Sequence, residues 1–247
     1  MNLFAWKDMQ NRKENKMGHK TTKFIVLSIA GMILCSCNSG NSRDQQFVQL
    51  FQRAVPAVVV IRSDRTMENN RFPDIGKGTG FFINDEYVLT VNHVVEAYRG
   101  IPIELRLWNG EAVEAEVVAR DTIHDLALLR IDPNAVEHYK IPKLNLETDP
   151  QIGETVFIIG SPHMYYNTMA KGIFSRGSTL GRNSRWLWKR EVYFIDVTTM
   201  KGNSGSPVFN VELGVIGIVS GTYSDITVVI PSHRIRSFLV ENKGLRK

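Results

Sequence analysis

Gly202-Asn203-Ser204-Gly205-Ser206-Pro207 is the stretch on which the reading of this chain turns. A serine between small residues, just ahead of the strand-like run Val208-Phe209-Asn210, suits a nucleophile held on a tight turn. Gly202 leaves its backbone N–H uncovered, and the N–H groups of Gly202 and Ser204 suit a pair of donors aimed at a developing oxyanion. The same residue types make ordinary turns, so the motif acquires meaning only from its partners elsewhere.

Two upstream segments supply them. Val88-Leu89-Thr90-Val91-Asn92-His93-Val94-Val95 reads as an apolar strand ending at a histidine. Arg120-Asp121-Thr122-Ile123-His124-Asp125-Leu126-Ala127-Leu128-Leu129-Arg130 brings an aspartate to the start of a buried-type strand. A serine hydroxyl is a poor nucleophile at neutral pH. It needs an imidazole to take its proton and a carboxylate to fix the imidazole tautomer. The chain order His93, Asp125, Ser204 is one of the orders in which such triads occur. Each residue also has a plainer role: His93 as a structural histidine, Asp125 as a turn cap, Ser204 as turn chemistry. His124 adjoins Asp125 and competes for the base position, but it lacks the Thr-x-x-His-Val context. Order and context together favour nucleophilic catalysis.

On these motifs the chain resembles the trypsin-like serine peptidases of the bacterial HtrA and glutamyl-endopeptidase type. The matching pieces are Gly78-Thr79-Gly80-Phe81-Phe82-Ile83, the histidine motif at 90–95, residues 125–129, residues 202–210, Val215-Ile216-Gly217-Ile218 and Val229-Ile230-Pro231-Ser232. The resemblance implies an all-β fold of two six-stranded antiparallel β-barrels with short flanking N- and C-terminal helices. The triad would lie in the cleft between them, with His93 and Asp125 from the first barrel and Ser204 from the second. It implies a serine endopeptidase that cuts protein or peptide substrates through a covalent acyl-enzyme. HtrA enzymes usually carry a PDZ domain after the peptidase, and none is expected after residue 240.

The resemblance extends to the substrate pocket. Asn203 stands where zymogen-activated relatives carry an aspartate that pairs with a newly cut amine, so no activation cleavage of that kind is expected. Thr198 matches the position at the pocket base, and Thr199 matches a threonine of the glutamyl endopeptidases. Val219 stands where those enzymes place a histidine, and Thr227 falls near the pocket wall. A carboxylate is costly in an uncharged pocket, which implies small or medium aliphatic P1 residues. A non-catalytic peptide-binding module in a peptidase fold is the alternative, and esterase chemistry would use the same residues.

Composition sets the remaining bounds. The 247 residues are 43% hydrophobic, enough for a sizeable core, and all-β folds of this length are commonly single domains. The formal charge of +5 is concentrated at the N-terminus. Residues 1–37 hold six Lys/Arg and two Asp/Glu, leaving 24 basic and 23 acidic residues beyond. A nearly neutral remainder argues against a nucleic-acid partner. Lys20 and Lys23 precede an apolar run at 24–34, short for a membrane span and suited to a signal peptide. Leu34-Cys35-Ser36-Cys37 resembles a bacterial lipobox, with Cys37 the lipidated residue after Ser36. A cell-envelope protein anchored to a membrane through Cys37 follows as an expectation, with Met17 a plausible start and residues 38–46 a flexible tether. Both cysteines lie in this leader, so no disulfide is expected in the domain at 47–242.

Along that domain, Phe47, Val48, Leu50, Phe51, Ala54 and Val55 have helical spacing. Short apolar or alternating runs then recur at 57–61, 80–83, 87–91, 103–108, 112–119, 126–131, 155–159, 170–174, 192–197, 208–211, 215–220 and 226–230. A closing helix is expected at 232–240, with Ile235, Phe238 and Leu239 inward. Residues 182–190 carry two tryptophans among cations and read best as a hairpin with a basic tip. His93 and Glu96 do not complete a zinc-peptidase pattern, and Gly76-Lys77-Gly78 lacks phosphate-loop spacing, so neither metal nor cofactor is expected.

Overall fold

The computed structural model describes residues 39–62, 78–96, 98, 103–146, 149–180 and 190–243. The leader with Cys37, and the basic tryptophan stretch apart from Arg190, lie outside them. Helix α1 (Ser39–Ala54) precedes β1 (Val58–Arg62), β2 (Gly78–Phe82) and β3 (Tyr87–Thr90). A single-turn helix α2 (Asn92–Glu96) leads to β4 (Ile103–Arg106), β5 (Ala112–Asp121) and β6 (Leu126–Arg130). The second half contains β7 (Thr155–Gly160), β8 (Thr168–Leu180), β9 (Glu191–Asp196), β10 (Pro207–Asn210), β11 (Val215–Tyr223) and β12 (Ile226–Pro231). Helix α3 (Ser232–Glu241) follows.

These strands close into two six-stranded antiparallel barrels, ordered β1-β2-β3-β6-β5-β4 and β10-β11-β12-β9-β8-β7. The expected fold is therefore the observed one, and the unit beginning at Leu50 holds both barrels. Continuous Val/Ile/Leu runs become strands buried on both faces, as in β1 and β6, where Val58 to Ile61 and Leu126 to Leu129 are all buried. Alternating sequence gives half-buried strands: in β4, Ile103 and Leu105 are buried and Glu104 and Arg106 are partly exposed. The second barrel is filled by Val156, Ile158, Phe174, Ile195, Val208, Ile216, Val219 and Val229. Two aromatic contacts stiffen it, Phe157 stacked on Phe209 at 5.2 Å and Phe174 edge-on to Tyr193 at 5.0 Å. Helix α3 buries Ile235, Phe238 and Leu239, as its spacing predicts, against β11 and β12.

Two boundaries differ from expectation. Helix α1 begins at Ser39 rather than 47, so most of the segment expected as a flexible tether is helical. Apolar spacing locates the packed face, where Leu50 and Ala54 are buried, but propagation upstream needs only backbone hydrogen bonds and tolerant residues such as Gln45 and Gln46. Strand β8 runs 13 residues, well past 174, because its partner β9 continues the ladder through Arg176 and Thr179 to Leu180. No apolar run marks that extension. Among the described residues, no helix is long and apolar enough to cross a membrane.

Candidate active site

The site lies where the first barrel meets the second. Strand β3 ends at Thr90, and the chain turns at once into α2, which carries His93. Asp125 closes the tight turn between β5 and β6 and holds a left-handed backbone, φ 62°. Aspartate tolerates that region better than most residues because its short polar side chain finds local partners. Here the partner is α2. The Asn92 N–H donates to the Asp125 carbonyl at 3.1 Å, and the His93 N–H donates to Asp125 Oδ1 at 2.9 Å. His93 Nδ1 lies 2.8 Å from Asp125 Oδ2. The carboxylate thus fixes both the ring and the backbone that carries it.

Asp125 is only 3% exposed, while the His93 side chain is 42% exposed, so the pair runs from a buried anion to an open imidazole. Burial pushes the Asp125 carboxyl upward. Hydrogen bonds and charge from His93, with a 2.6 Å bond from Ser220 Oγ, outweigh it and hold the group below its ordinary value. His124 does not join this pair: its Nδ1 lies 2.7 Å from Asp121 Oδ2. Burial likewise raises Asp121, and its bonds from His124 and Ile123 bring it below the ordinary value.

Ser204 sits on the loop entering β10, and every peptide around it is anchored. Asn203 N–H donates to the Met200 carbonyl at 3.0 Å, and Gly202 has φ 101°, which makes residues 200–203 a type II turn. The Lys201 carbonyl accepts from the His163 N–H at 2.8 Å. A trans peptide points its N–H opposite its carbonyl, so the Gly202 N–H faces away from His163. By the same rule, the Asn203 carbonyl is held by the Ser206 N–H at 2.9 Å, and the Ser204 N–H is turned the other way. Strand β2 of the first barrel completes the anchoring. Thr79 N–H donates to the Ser204 carbonyl at 2.9 Å, and Thr79 Oγ1 donates to the Gly202 carbonyl at 2.8 Å. Gly205 makes this approach possible, since a Cβ there would stand 1.9 Å from the Thr79 carbonyl. The Ser204 hydroxyl itself donates to the Ser220 carbonyl at 3.4 Å.

Of the residues expected at the substrate pocket, Thr199 and Thr227 are brought together. Thr227 Oγ1 donates to the Val197 carbonyl at 2.6 Å. With that proton committed, Thr199 Oγ1 must donate to Thr227 at 2.8 Å, and Thr222 must donate to Thr199 at 2.9 Å. Thr198 is exposed, and Val219 is packed within the second barrel's core. Asn203 is buried, and among the described residues its Oδ1, like Ser161 Oγ and Ser206 Oγ, has no hydrogen-bond partner. A Cβ at Gly160 would come within 2.6 Å of that Asn203 oxygen, so a glycine there is what leaves room for it. Among the described residues, no group of three or more His, Cys, Asp or Glu could hold a metal ion.

Sequence reasoning missed Ser220 and Thr79 as members of the site. Thr79 stood inside a quoted motif. Ser220 carried no signal beyond its place at the end of an apolar strand, 95 residues from the carboxylate it meets.

Comparison with known proteins places the fold in a family. Residues 78–218 match the model of the trypsin-like peptidase domain. The chain is 33% identical over 209 residues to the serine protease HTRA4 of Homo sapiens, covering 81% of this chain and 42% of that protein. It is 30% identical to a probable periplasmic serine endoprotease, DegP-like, of Halomonas elongata, covering 87% of this chain and 53% of that one. The crystal structure of the serine endoprotease from Yersinia pestis superposes with a TM-score of 0.64 at 27% identity, over 79% of this chain and 65% of that one. The chain thus spans about two fifths to one half of the length of these curated relatives.

Proposed function

The chain belongs to the trypsin-like peptidase family, and from that membership and the geometry of its cleft we propose that it is a serine endopeptidase acting on protein or peptide substrates. The observation that carries the reading is the clamp on His93, held through ring and backbone by a buried Asp125. It is supported by Ser204, which sits on a loop whose carbonyls from Lys201 to Ser204 are tied down and whose own hydroxyl donates to the carbonyl of Ser220, the residue that also bonds Asp125. Ser204 Oγ attacks the scissile carbonyl as His93 Nε2 takes its proton, forming a tetrahedral adduct. His93 then protonates the leaving amine, and water hydrolyses the acyl-enzyme with His93 again the base. Asp125 holds the tautomer that leaves Nε2 free. The N–H groups of Gly202 and Ser204 receive the oxyanion, an interaction made strongest in the transition state.

A preorganised nucleophile is tested by fluorophosphonate labelling of residues 38–247 beside Ser204→Ala and a heat-denatured control. Labelling confined to the native wild type is expected. A demonstrably folded domain that takes no label, and cleaves no peptide, sinks the assignment.

For specificity, the threonine chain at Thr199, Thr222 and Thr227 is uncharged, and its protons run from Thr222 through Thr199 and Thr227 to the Val197 carbonyl. A P1 carboxylate would meet no cation from these residues, and a P1 lysine or arginine would meet no carboxylate. Small or medium aliphatic P1 residues fit best, and a P1-varied peptide library cut mainly after Glu, Lys or Arg refutes this. For location, the basic and apolar leader ending at Cys37 supports a lipid-anchored envelope protein. Cys37→Ala should move the protein from the membrane fraction to the soluble one.

A further inference from the structure

Arg190 directly precedes β9 of the second barrel, yet its guanidinium is engaged with the first. Nη2 donates to the Thr122 carbonyl at 3.3 Å, and Nη1 lies 4.0 Å from Asp125 Oδ2. Thr122 and Asp125 bracket the turn that carries the buried carboxylate. The Arg190 side chain is 20% exposed and that of Asp125 is 4%, and a small cavity beside Arg190 is lined by His124, Glu191, Val192, Ser220, Val228 and Ile230 as well. A charge so placed is screened far less than one on the surface.

Among the described residues, the other ionic groups near this turn have partners of their own. Asp121 pairs with His124, and Arg120 donates to Asn92 Oδ1 and the Val95 carbonyl. Glu191 pairs with His233 and Arg234. Glu96 lies at the exposed end of α2. Asp125 Oδ2 therefore receives His93 Nδ1, Ser220 Oγ and, at longer range, the Arg190 charge.

We propose that Arg190 is a positioning residue for the triad, acting from the second barrel. It braces the 122–125 turn across the seam, and it shares the Asp125 charge with His93. The second effect has a direction. A carboxylate facing histidine alone stabilises the imidazolium fully; a neighbouring guanidinium removes part of that attraction and adds repulsion. The proposal rests on the reading of His93 as the base, but its electrostatic core is measurable without turnover.

The test is an NMR titration of the His93 ring signal, assigned with His93→Gln, in wild type, Arg190→Gln and Arg190→Lys. The acid limb of kcat/KM is followed in parallel. Arg190→Gln should move the His93 midpoint toward higher pH, with the acid limb following. Arg190→Lys retains the charge and should titrate with the wild type, a rescue that a purely structural role does not produce. Arg190→Met keeps the packed stem and replaces the glutamine variant if that one does not fold, with the same expectation. A His93 midpoint common to all variants overturns the proposal. So does a lysine variant displaced as far as the neutral one. If the shift is found in a wild type that cleaves nothing, the coupling stands and the peptidase reading falls.

Discussion

Gly202→Ala is the substitution that separates the oxyanion site from the rest of the fold. Gly202 has φ 101°, and a Cβ on it would stand 2.3 Å from the Ser161 carbonyl oxygen and 3.3 Å from His163 N. The contact is with backbone, so no side-chain rotation relieves it, and the left-handed region itself costs an L-residue roughly 1–2 kcal/mol. The cheapest escape is to a negative φ, which converts the type II turn at 200–203 into type I and reverses the peptide between Lys201 and Gly202. That reversal breaks the 2.8 Å bond from His163 N–H to the Lys201 carbonyl. One such bond contributes about 0.5–1.5 kcal/mol. It also turns the Gly202 N–H away from the oxyanion.

The two consequences differ in size and in readout. Stability falls by roughly 1–3 kcal/mol, a drop of about 2–4 °C in Tm per kcal/mol for a domain of this length, so the variant still folds. Loss of one oxyanion donor raises the activation barrier by about 2.7–4 kcal/mol, on the order of 10²–10³ in kcat. An interaction made only in the transition state lowers kcat and kcat/KM together and leaves KM nearly unchanged. The assay is steady-state hydrolysis of a chromogenic peptide, with scanning fluorimetry on the same preparation. A folded Gly202→Ala enzyme with kcat within a few fold of wild type would falsify the argument that the turn type sets the oxyanion donors.

Other outcomes follow from the same bonds. Asp125→Asn should lower kcat on the order of 10⁴-fold by favouring the wrong His93 tautomer. It should barely disturb the left-handed backbone, since asparagine tolerates φ 62°. Asp125→Ala should add a loss of Tm that Asn does not show, and equal Tm values for the two refute the strain argument. For pH, the folded Asp125 carboxyl lies below its ordinary value, so its contribution to stability is complete above about pH 4–5 and is lost as pH falls through the folded value. Urea midpoints of the wild type should therefore fall more steeply with acid than those of Asp125→Asn, and parallel curves count against it. Thr227→Val removes the 2.6 Å bond to the buried-side Val197 carbonyl and should cost about 1–3 kcal/mol by urea unfolding. A neutral effect would mean the threonine chain is dispensable.

The barrels were legible because both kinds of strand leave a mark on sequence. Uninterrupted runs such as Leu126-Ala127-Leu128-Leu129 announce a strand buried on both faces, and alternation such as Ile103-Glu104-Leu105-Arg106 announces one half covered. The far end of β8 left no mark, because residues 175–180 are held by the β9 ladder rather than by a core of their own. The same division runs through the site. His93, Asp125 and Ser204 sit in local contexts short enough to read. Ser220 and Arg190 meet Asp125 across 95 and 65 residues of chain, and Arg190 also binds Thr122 through a backbone carbonyl, which any residue would supply. Nothing in the composition of either partner announces such a bond.

Those unannounced contacts explain why the site stands at a seam instead of inside one barrel. Thr79 of β2 reaches the Ser204 and Gly202 carbonyls, Ser220 of β11 reaches Asp125, and Arg190 reaches Thr122. Each bond joins the barrels, and each also fixes a group that the proposed chemistry needs: the backbone of Ser204, the turn at Gly202, the buried Asp125 carboxylate. A bond lost here therefore acts twice. It loosens the contact between barrels, and it lets one half of the triad drift relative to the other, where a misplacement of about 1 Å is worth on the order of 10² in rate. On the proposed function neither barrel carries the reacting groups alone, and the catalytic geometry is then a property of how they dock. That coupling makes Thr79, Ser220 and Arg190 sensitive positions although none of them is proposed to touch the substrate's scissile bond.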